Sequence, residues 1–185
     1  MGKLILITGG VRSGKSAWTL AEGNRLSAPR KFFIATAEPI DDEMRIRIVA
    51  HRKARNASWQ TIEAPIQLGD SIRTLTPESI AIIDCCTVWL GNIWHHSKGN
   101  TDSLDKAVKG LLEAFDWWKR RDMGTIFVVT NEVGWGIVPH DAGIRCYRDV
   151  IGVMNQRIAS MANNVYLCVS GIAVCIKNQQ NGDDV

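Results

Sequence analysis

The chain has 185 residues, enough to bury the core of one ordinary domain, and sets 22 Lys plus Arg against 19 Asp plus Glu. The resulting formal charge of +3 is too small to mark a nucleic-acid or membrane-surface protein without local clustering, so neither partner is expected. The five cysteines (Cys85, Cys86, Cys146, Cys168, Cys175) are odd in number and lack CxxC spacing, which argues against a disulfide framework or a zinc site and for a reducing compartment.

The first expected strand, Leu4 to Thr8, is too short to be a signal peptide or a membrane span, which fits a cytoplasmic protein. It runs straight into Gly9, Gly10, Val11, Arg12, Ser13, Gly14, Lys15 and Ser16, a match to G-x-x-x-x-G-K-[ST], and a helix is expected from about Lys15 to Arg25. Strand, loop and helix in that order are the context the pattern requires. Glycines let backbone N–H groups turn inward around phosphate oxygens, and the helix N-terminus adds partial positive charge. Lys15 would then bridge the β and γ phosphates while Ser16 reaches Mg²⁺.

A strand at Phe32 to Thr36 leads to a helix at about Asp41 to Arg55, acidic in its first turn and basic in its last, as the helix dipole prefers. Met44, Ile48 and His51 fall at i, i+4 and i+7, so His51 continues the inward stripe while Arg45, Arg52, Lys53 and Arg55 surround it. Two readings of His51 follow. It is a satisfied residue beside an apolar stripe, or its Nε2 attacks an α-phosphate to form a phosphoramidate. Spacing alone does not choose between them.

The next strand, Ile80 to Asp84, is hydrophobic and ends in a carboxylate, as Walker B strands do, although a terminal Asp also serves simply to cap a following helix. Beside a P-loop, Asp84 is expected to face the nucleotide. A helix at Leu104 to Arg121 and a strand at Ile126 to Thr130 follow, and Asn131 and Glu132 then lie at the carboxyl edge of the sheet, where open α/β folds bind ligands. Glu132 could position an acceptor hydroxyl or an ordered water, or merely cap its loop. A helix at Ile144 to Met161, a strand at Val165 to Ser170 and an apolar run at Ile172 to Ile176 complete the pattern, the last two forming an edge hairpin. The alternation predicts an α/β fold: a P-loop NTPase with a doubly wound, mostly parallel sheet and helices on both faces. Residues 1–177 are expected to form a single P-loop nucleotide-binding domain, with 178–185 a flexible polar tail. His95 and His96 are adjacent and so do not share a helix face, which argues against a metal site. Of the seven tryptophans, only Trp135, in a glycine-flanked loop, invites a ligand-stacking role.

These motifs converge. TGGVRSGKS (Thr8 to Ser16), FIATAEPIDDEMRIRIVAHRKAR (Phe33 to Arg55), WQTIEAP (Trp59 to Pro65), IIDCCTVWLGN (Ile82 to Asn92), TNEVGWGIVP (Thr130 to Pro139) and YRDVIGVMNQRIA (Tyr147 to Ala159) resemble, in order, the bifunctional adenosylcobinamide kinase and adenosylcobinamide-phosphate guanylyltransferase family of cobalamin biosynthesis. The likeness runs from Leu4 to Lys177. It implies phosphorylation of the aminopropanol hydroxyl of adenosylcobinamide by GTP or ATP, then transfer of GMP from GTP onto that phosphate through a guanylyl-histidine. His51 is the histidine that matches, since position 50 is Ala50. The resemblance further implies that Gly9 to Ser16 hold the triphosphate, that Ala35, Thr36, Ala37, Arg52, Lys53, Ala54 and Arg55 line the nucleotide, and that Glu63 and Asp84 contact it. Which of these two carboxylates reads guanine and which serves Mg²⁺ stays open. A homotrimer with active sites near subunit boundaries is also implied.

The chain departs from the family at Cys85 and Cys86, and at His140, Asp141, Ala142 and Gly143, both places where acceptor binding would be affected. Arg145, just beyond, is a candidate phosphate or corrinoid contact. Two other functions compete: a P-loop small-metabolite kinase without a covalent intermediate, and a GTP-binding regulatory protein.

Overall fold

Successive residues of the apolar runs point to opposite faces, and this alternation builds a seven-stranded sheet with a core on each side in the computed structural model, which describes residues 1–178. The elements are β1 (Lys3–Gly9), α1 (Lys15–Arg25), β2 (Arg30–Ala35), α2 (Asp42–Lys53), β3 (Trp59–Glu63), α3 (Leu68–Arg73), β4 (Ser79–Asp84), α4 (Cys86–His96), α5 (Thr101–Arg120), β5 (Gly124–Val129), α6 (Ala142–Met161), β6 (Asn164–Val169) and β7 (Ile172–Asn178). Strands lie in the order β3-β2-β4-β5-β1-β6-β7 and are parallel except for β7. The expected tail, apart from Asn178, falls outside the described residues.

On one face Leu4, Leu6, Phe32, Ile34, Ala81, Ile83, Ile126 and Val128 pack against α3 to α6. Helix α5 shows why: Leu104, Val108, Leu111, Phe115 and Trp118 recur at helical spacing and are all buried, each such side chain contributing roughly 1.5–3 kcal/mol. On the other face Ile7, Phe33, Ile80, Ile82 and Phe127 pack with Trp59 and with Trp18 and Leu20 of α1.

Three elements were not legible in the periodicity. Strand β3 is a five-residue edge strand with Trp59 alone buried, so no apolar alternation marks it. Helix α3 has six residues, too few for a period. Helix α4 buries Cys86, Thr87, Trp89, Leu90 and Ile93 and is apolar over much of its surface, which blurs the amphipathic signal.

Helix α2 is the opposite case. Asp41 caps it, its side chain accepting from Met44 N at 2.7 Å, yet none of its residues is fully buried. Met44, Ile48 and His51 are half-buried along the expected stripe. The helix therefore lies against the sheet edge with little packing to anchor it.

Candidate active site

The phosphate-binding loop closes on itself. Gly9 sits at φ +144°, where a Cβ would stand 2.3 Å from the Cys168 carbonyl oxygen, and Gly14 sits at φ +95°, where a Cβ would meet Gly171 Cα at 2.9 Å. The second approach comes from the β6–β7 hairpin, whose turn residues Ser170 and Gly171 have φ 51° and 84°. Gly171 N donates to Ser13 O at 2.9 Å, so the edge hairpin braces the loop from outside. Lys15 Nζ donates to Gly9 O (3.0 Å), Gly10 O (2.6 Å) and Ser13 Oγ (3.3 Å), holding the ammonium over the loop mouth. Burial pulls its pKa below the ordinary lysine value, against opposing pulls from nearby anionic groups that include Asp84.

Asp84, at the carboxyl end of β4, ties the loop to α2. Its Oδ1 accepts from Ser16 Oγ at 3.1 Å, and its Oδ2 lies 3.4 Å from His51 Nδ1. With Nδ1 turned to the carboxylate, Nε2 is the ring nitrogen left for other chemistry. The Asp84 side chain is 9% exposed and that of His51 40%. The two ends of β2 and β4 are stapled by the buried Thr36, whose Oγ1 donates to Cys85 O (2.9 Å) and accepts from Cys85 N (2.8 Å). Thr36 is thus spent on the fold, and Ala35 and Ala37 on either side are only partly buried.

Of the cations expected around His51, Arg55 touches it, Nε donating to the His51 carbonyl at 3.1 Å, and the pairings of Arg45 and Arg52 lie elsewhere. Arg45 pairs with Asp42 at 3.8 Å, Arg52 pairs with Glu63, and the Arg55 guanidinium stacks 3.8 Å from the Phe33 ring centroid while donating to Thr61 Oγ1 at 2.8 Å. Arg52 and Arg55 instead join the end of α2 to β3, and Lys53 and Ala54 are exposed there. Glu63 therefore sits with Arg52, apart from the Ser16, Asp84 and His51 cluster.

A second carboxylate meets the loop from the end of β5, the strand between β4 and β1. Glu132 follows β5, its N–H donates to Gly9 O at 3.1 Å, and its Oε1 accepts from Thr8 Oγ1 at 2.6 Å. Buried polar side chains hold this edge: Thr130 Oγ1 donates to Asn155 Oδ1 (2.8 Å), Asn155 Nδ2 donates to Asn131 O (3.1 Å), and Asn131 N donates to Thr87 Oγ1 (2.8 Å). Tyr147 OH reaches Thr87 O at 2.7 Å, and burial raises its pKa above the ordinary tyrosine value. Thr87 and Tyr147 also line a cleft of about 560 Å³ with Glu38, Ile40, Met44, Val88 and His95. Thr87, Thr130, Asn155 and Tyr147 lie within the segments that resemble the family, but only tertiary contact reveals that they meet.

Other candidates are placed differently. Cys86 is fully buried in the core, so this departure from the family cannot touch a ligand, and Cys85 is 7% exposed with its thiol pushed up to about 12 by burial. Asp141 caps α6 through Ile144 N at 2.8 Å, and Arg145 donates to Pro139 O (2.9 Å) and His140 O (2.6 Å), so the altered stretch shapes a helix start. Val11 and Arg12 are exposed at the loop tip. His96 Nε2 lies 3.0 Å from Glu38, and no metal-binding group of three His, Cys, Asp or Glu occurs among the described residues. Trp135 is the one exposed tryptophan of the seven, at 67%. Among the described residues no helix is long and apolar enough to cross a membrane.

Comparison with known proteins adds an independent line. The profile of the family described as cobinamide kinase / cobinamide phosphate guanyltransferase matches residues 5–176. The bifunctional adenosylcobalamin biosynthesis protein CobU of Escherichia coli K12 is 36% identical over 182 residues, covering 94% of this chain and 99% of that protein. Its Salmonella typhimurium LT2 namesake is 37% identical over the same span and coverage. Among solved structures the RadB recombinase superposes with TM-score 0.54 at 14% identity, over 90% of this chain and 74% of that one, a likeness of P-loop fold alone.

Proposed function

The chain belongs to the cobinamide kinase / cobinamide phosphate guanyltransferase family and is a bifunctional transferase of cobalamin biosynthesis, and from that premise we propose how one triphosphate site serves both reactions. The loop Gly9 to Ser16 cradles the triphosphate, and Lys15 exchanges its loop carbonyls for the β and γ phosphate oxygens. In the kinase step, with GTP or ATP, the aminopropanol hydroxyl of adenosylcobinamide attacks the γ-phosphorus. In the second step His51 Nε2 attacks the α-phosphorus of GTP, pyrophosphate leaves, and GMP is held as a phosphoramidate. The phosphate of adenosylcobinamide phosphate then attacks that phosphorus, the N–P bond breaks, and adenosylcobinamide-GDP is released.

The observation supporting this reading is the chain of contacts from Ser16 through Asp84 to His51 Nδ1, which links the triphosphate loop to a histidine whose Nε2 has no hydrogen-bond partner among the described residues. Ser16 and Asp84 offer hard oxygen donors of the kind Mg²⁺ accepts alongside waters, and the ion would neutralise charge on the phosphate oxygens. With Asp84 engaged at the phosphate end, Glu63 is the carboxylate left to accept from guanine N1–H and N2–H₂, while Ala35, Ala37 and the Arg52 to Arg55 turn line the nucleoside. The cytoplasm as its location and a homotrimer are parts of the same proposal. The exposed apolar loop residues Trp135, Ile137 and Val138, together with Ile144, are surface that such an assembly would cover.

The test is intact-protein mass after incubation with GTP, followed by peptide mapping and assay of both products. A GMP adduct on His51 is expected, absent in His51→Asn. That variant retains phosphorylation within about fivefold, because His51 is half-exposed on a helix with no fully buried residue. An adduct on another residue, or equal loss of both reactions, would refute the assignment. Native mass of the same sample reads the subunit count.

A further inference from the structure

We propose that Glu132 takes the proton from the hydroxyl that is phosphorylated, so that the two carboxylates that meet the P-loop from β4 and β5 divide the two reactions between them. The inference rests on the kinase reading of this site and adds a residue to it. Asp84 is committed, one oxygen to Ser16 at 3.1 Å and the other facing His51 at 3.4 Å. Glu132 reaches the loop from the end of β5, the strand between β4 and β1, and is held at two points, Gly9 and Thr8. Its N–H and Lys15 Nζ share the Gly9 carbonyl, at 3.1 and 3.0 Å, which pins the Glu132 backbone beside the ammonium that serves the β and γ phosphates.

The carboxylate is oriented but not used up. Oε1 accepts from Thr8 Oγ1 at 2.6 Å and from Asn155 Nδ2 at 3.4 Å, and Oε2 has no hydrogen-bond partner among the described residues. Asn155 is itself fixed by Thr130 and the Asn131 carbonyl, so the carboxylate is held by side chains buried in the sheet edge. That edge also supplies Thr87 and Tyr147 to the cleft of about 560 Å³, whose Ile40, Met44 and Val88 offer apolar wall to an acceptor arriving there.

The step balances. The acceptor oxygen forms a bond to the γ-phosphorus, the bond from that phosphorus to the β,γ-bridging oxygen breaks, the nucleoside diphosphate leaves with the electron pair, and the hydroxyl proton passes to Glu132 Oε2. In GMP transfer the attacking group is already a phosphate oxygen, so no hydroxyl proton needs removal and Glu132 has no such task.

Glu132→Gln preserves shape and an acceptor for Thr8 while removing the base. Steady-state phosphorylation by this variant should show kcat reduced about a hundredfold or more, with KM for nucleotide and acceptor each within about threefold of wild type. Glu132→Asp should recover part of the lost kcat. GMP transfer to acceptor supplied already phosphorylated should fall by less than about fivefold, and the thermal midpoint should stay close to wild type. Wild-type turnover in the same assay reports on the kinase reading itself, whereas the variants report on Glu132. A Glu132→Gln kcat within fivefold of wild type would overturn the proposal. So would equal loss of both reactions, which would reduce Glu132 to a brace for the loop.

Discussion

Replacing Asp84 with Asn removes one negative charge and, with the amide oxygen kept on Ser16, turns an NH2 donor toward His51 Nδ1 in place of an acceptor, which favours the tautomer with Nε2 protonated. The side chain keeps its shape, and the amide oxygen can still accept from Ser16 Oγ, now at 3.1 Å. What disappears is the charge, and the acceptor, 3.4 Å from His51 Nδ1. As Nε2 bonds to the α-phosphorus the imidazole becomes cationic, and the carboxylate then stabilises it. At 3.4 Å that attraction is about 1.2 kcal/mol in the dielectric of water and about 4.9 kcal/mol at an effective dielectric near 20. With Asp84 almost covered and His51 partly in solvent, the charge alone contributes a value between these, about 2–3 kcal/mol, so with the tautomer also disfavoured adduct formation should slow at least about 30- to 150-fold. The assay is single-turnover guanylylation followed by intact-protein mass at saturating GTP and Mg²⁺, where weakened binding no longer contributes. A rate within threefold of wild type would show that the Asp84 charge is not used by His51. A deficit that vanishes as GTP or Mg²⁺ is raised would assign Asp84 to nucleotide affinity alone.

Two further outcomes test the loop and its surroundings. Gly9→Ala places a Cβ 2.3 Å from the Cys168 carbonyl oxygen at φ +144°, which should cost about 2 kcal/mol or more and lower the thermal midpoint by at least about 5 °C. An unchanged midpoint in calorimetry would refute that geometry. Burial raises the Cys85 thiol to about 12, so at pH 8 only about one in ten thousand is thiolate, the form that alkylates. Iodoacetamide under native conditions should therefore label exposed Cys175 and spare Cys85, with Cys85 labelling rising as pH climbs toward its pKa, and rapid Cys85 labelling near neutral pH would contradict its burial.

Local chemistry was readable before any contact was known. The P-loop announces itself because its glycines, Lys15 and Ser16 act within a few residues of one another. The strands β1, β2, β4, β5 and β6 announce themselves because a strand covered on both faces must be apolar at nearly every position. The Met44, Ile48, His51 stripe followed from helical spacing, and it is the half-buried stripe of α2. The arrangement of cations did not follow, because spacing gives a side chain's direction and not the partner it meets: Arg52 found Glu63 and Arg55 found Phe33 across the gap to β3 and β2.

What only the tertiary structure decided is which distant groups share a site. Asp84 meets Ser16 across 68 positions and Glu132 meets Thr8 across 124, and both contacts depend on strand order. Inserting β5 between β4 and β1 sets Glu132 at the end of the strand beside the loop's own and Asp84 one strand farther out, both on the same side of β1. Periodicity reports whether a residue faces a core, but strand order is chosen by the packing of whole layers and by crossover connections, and no local pattern encodes it. For the same reason Cys86, two residues after Asp84 in the chain, belongs to the core: the turn from β4 into α4 rotates it away from the edge where the phosphate loop lies.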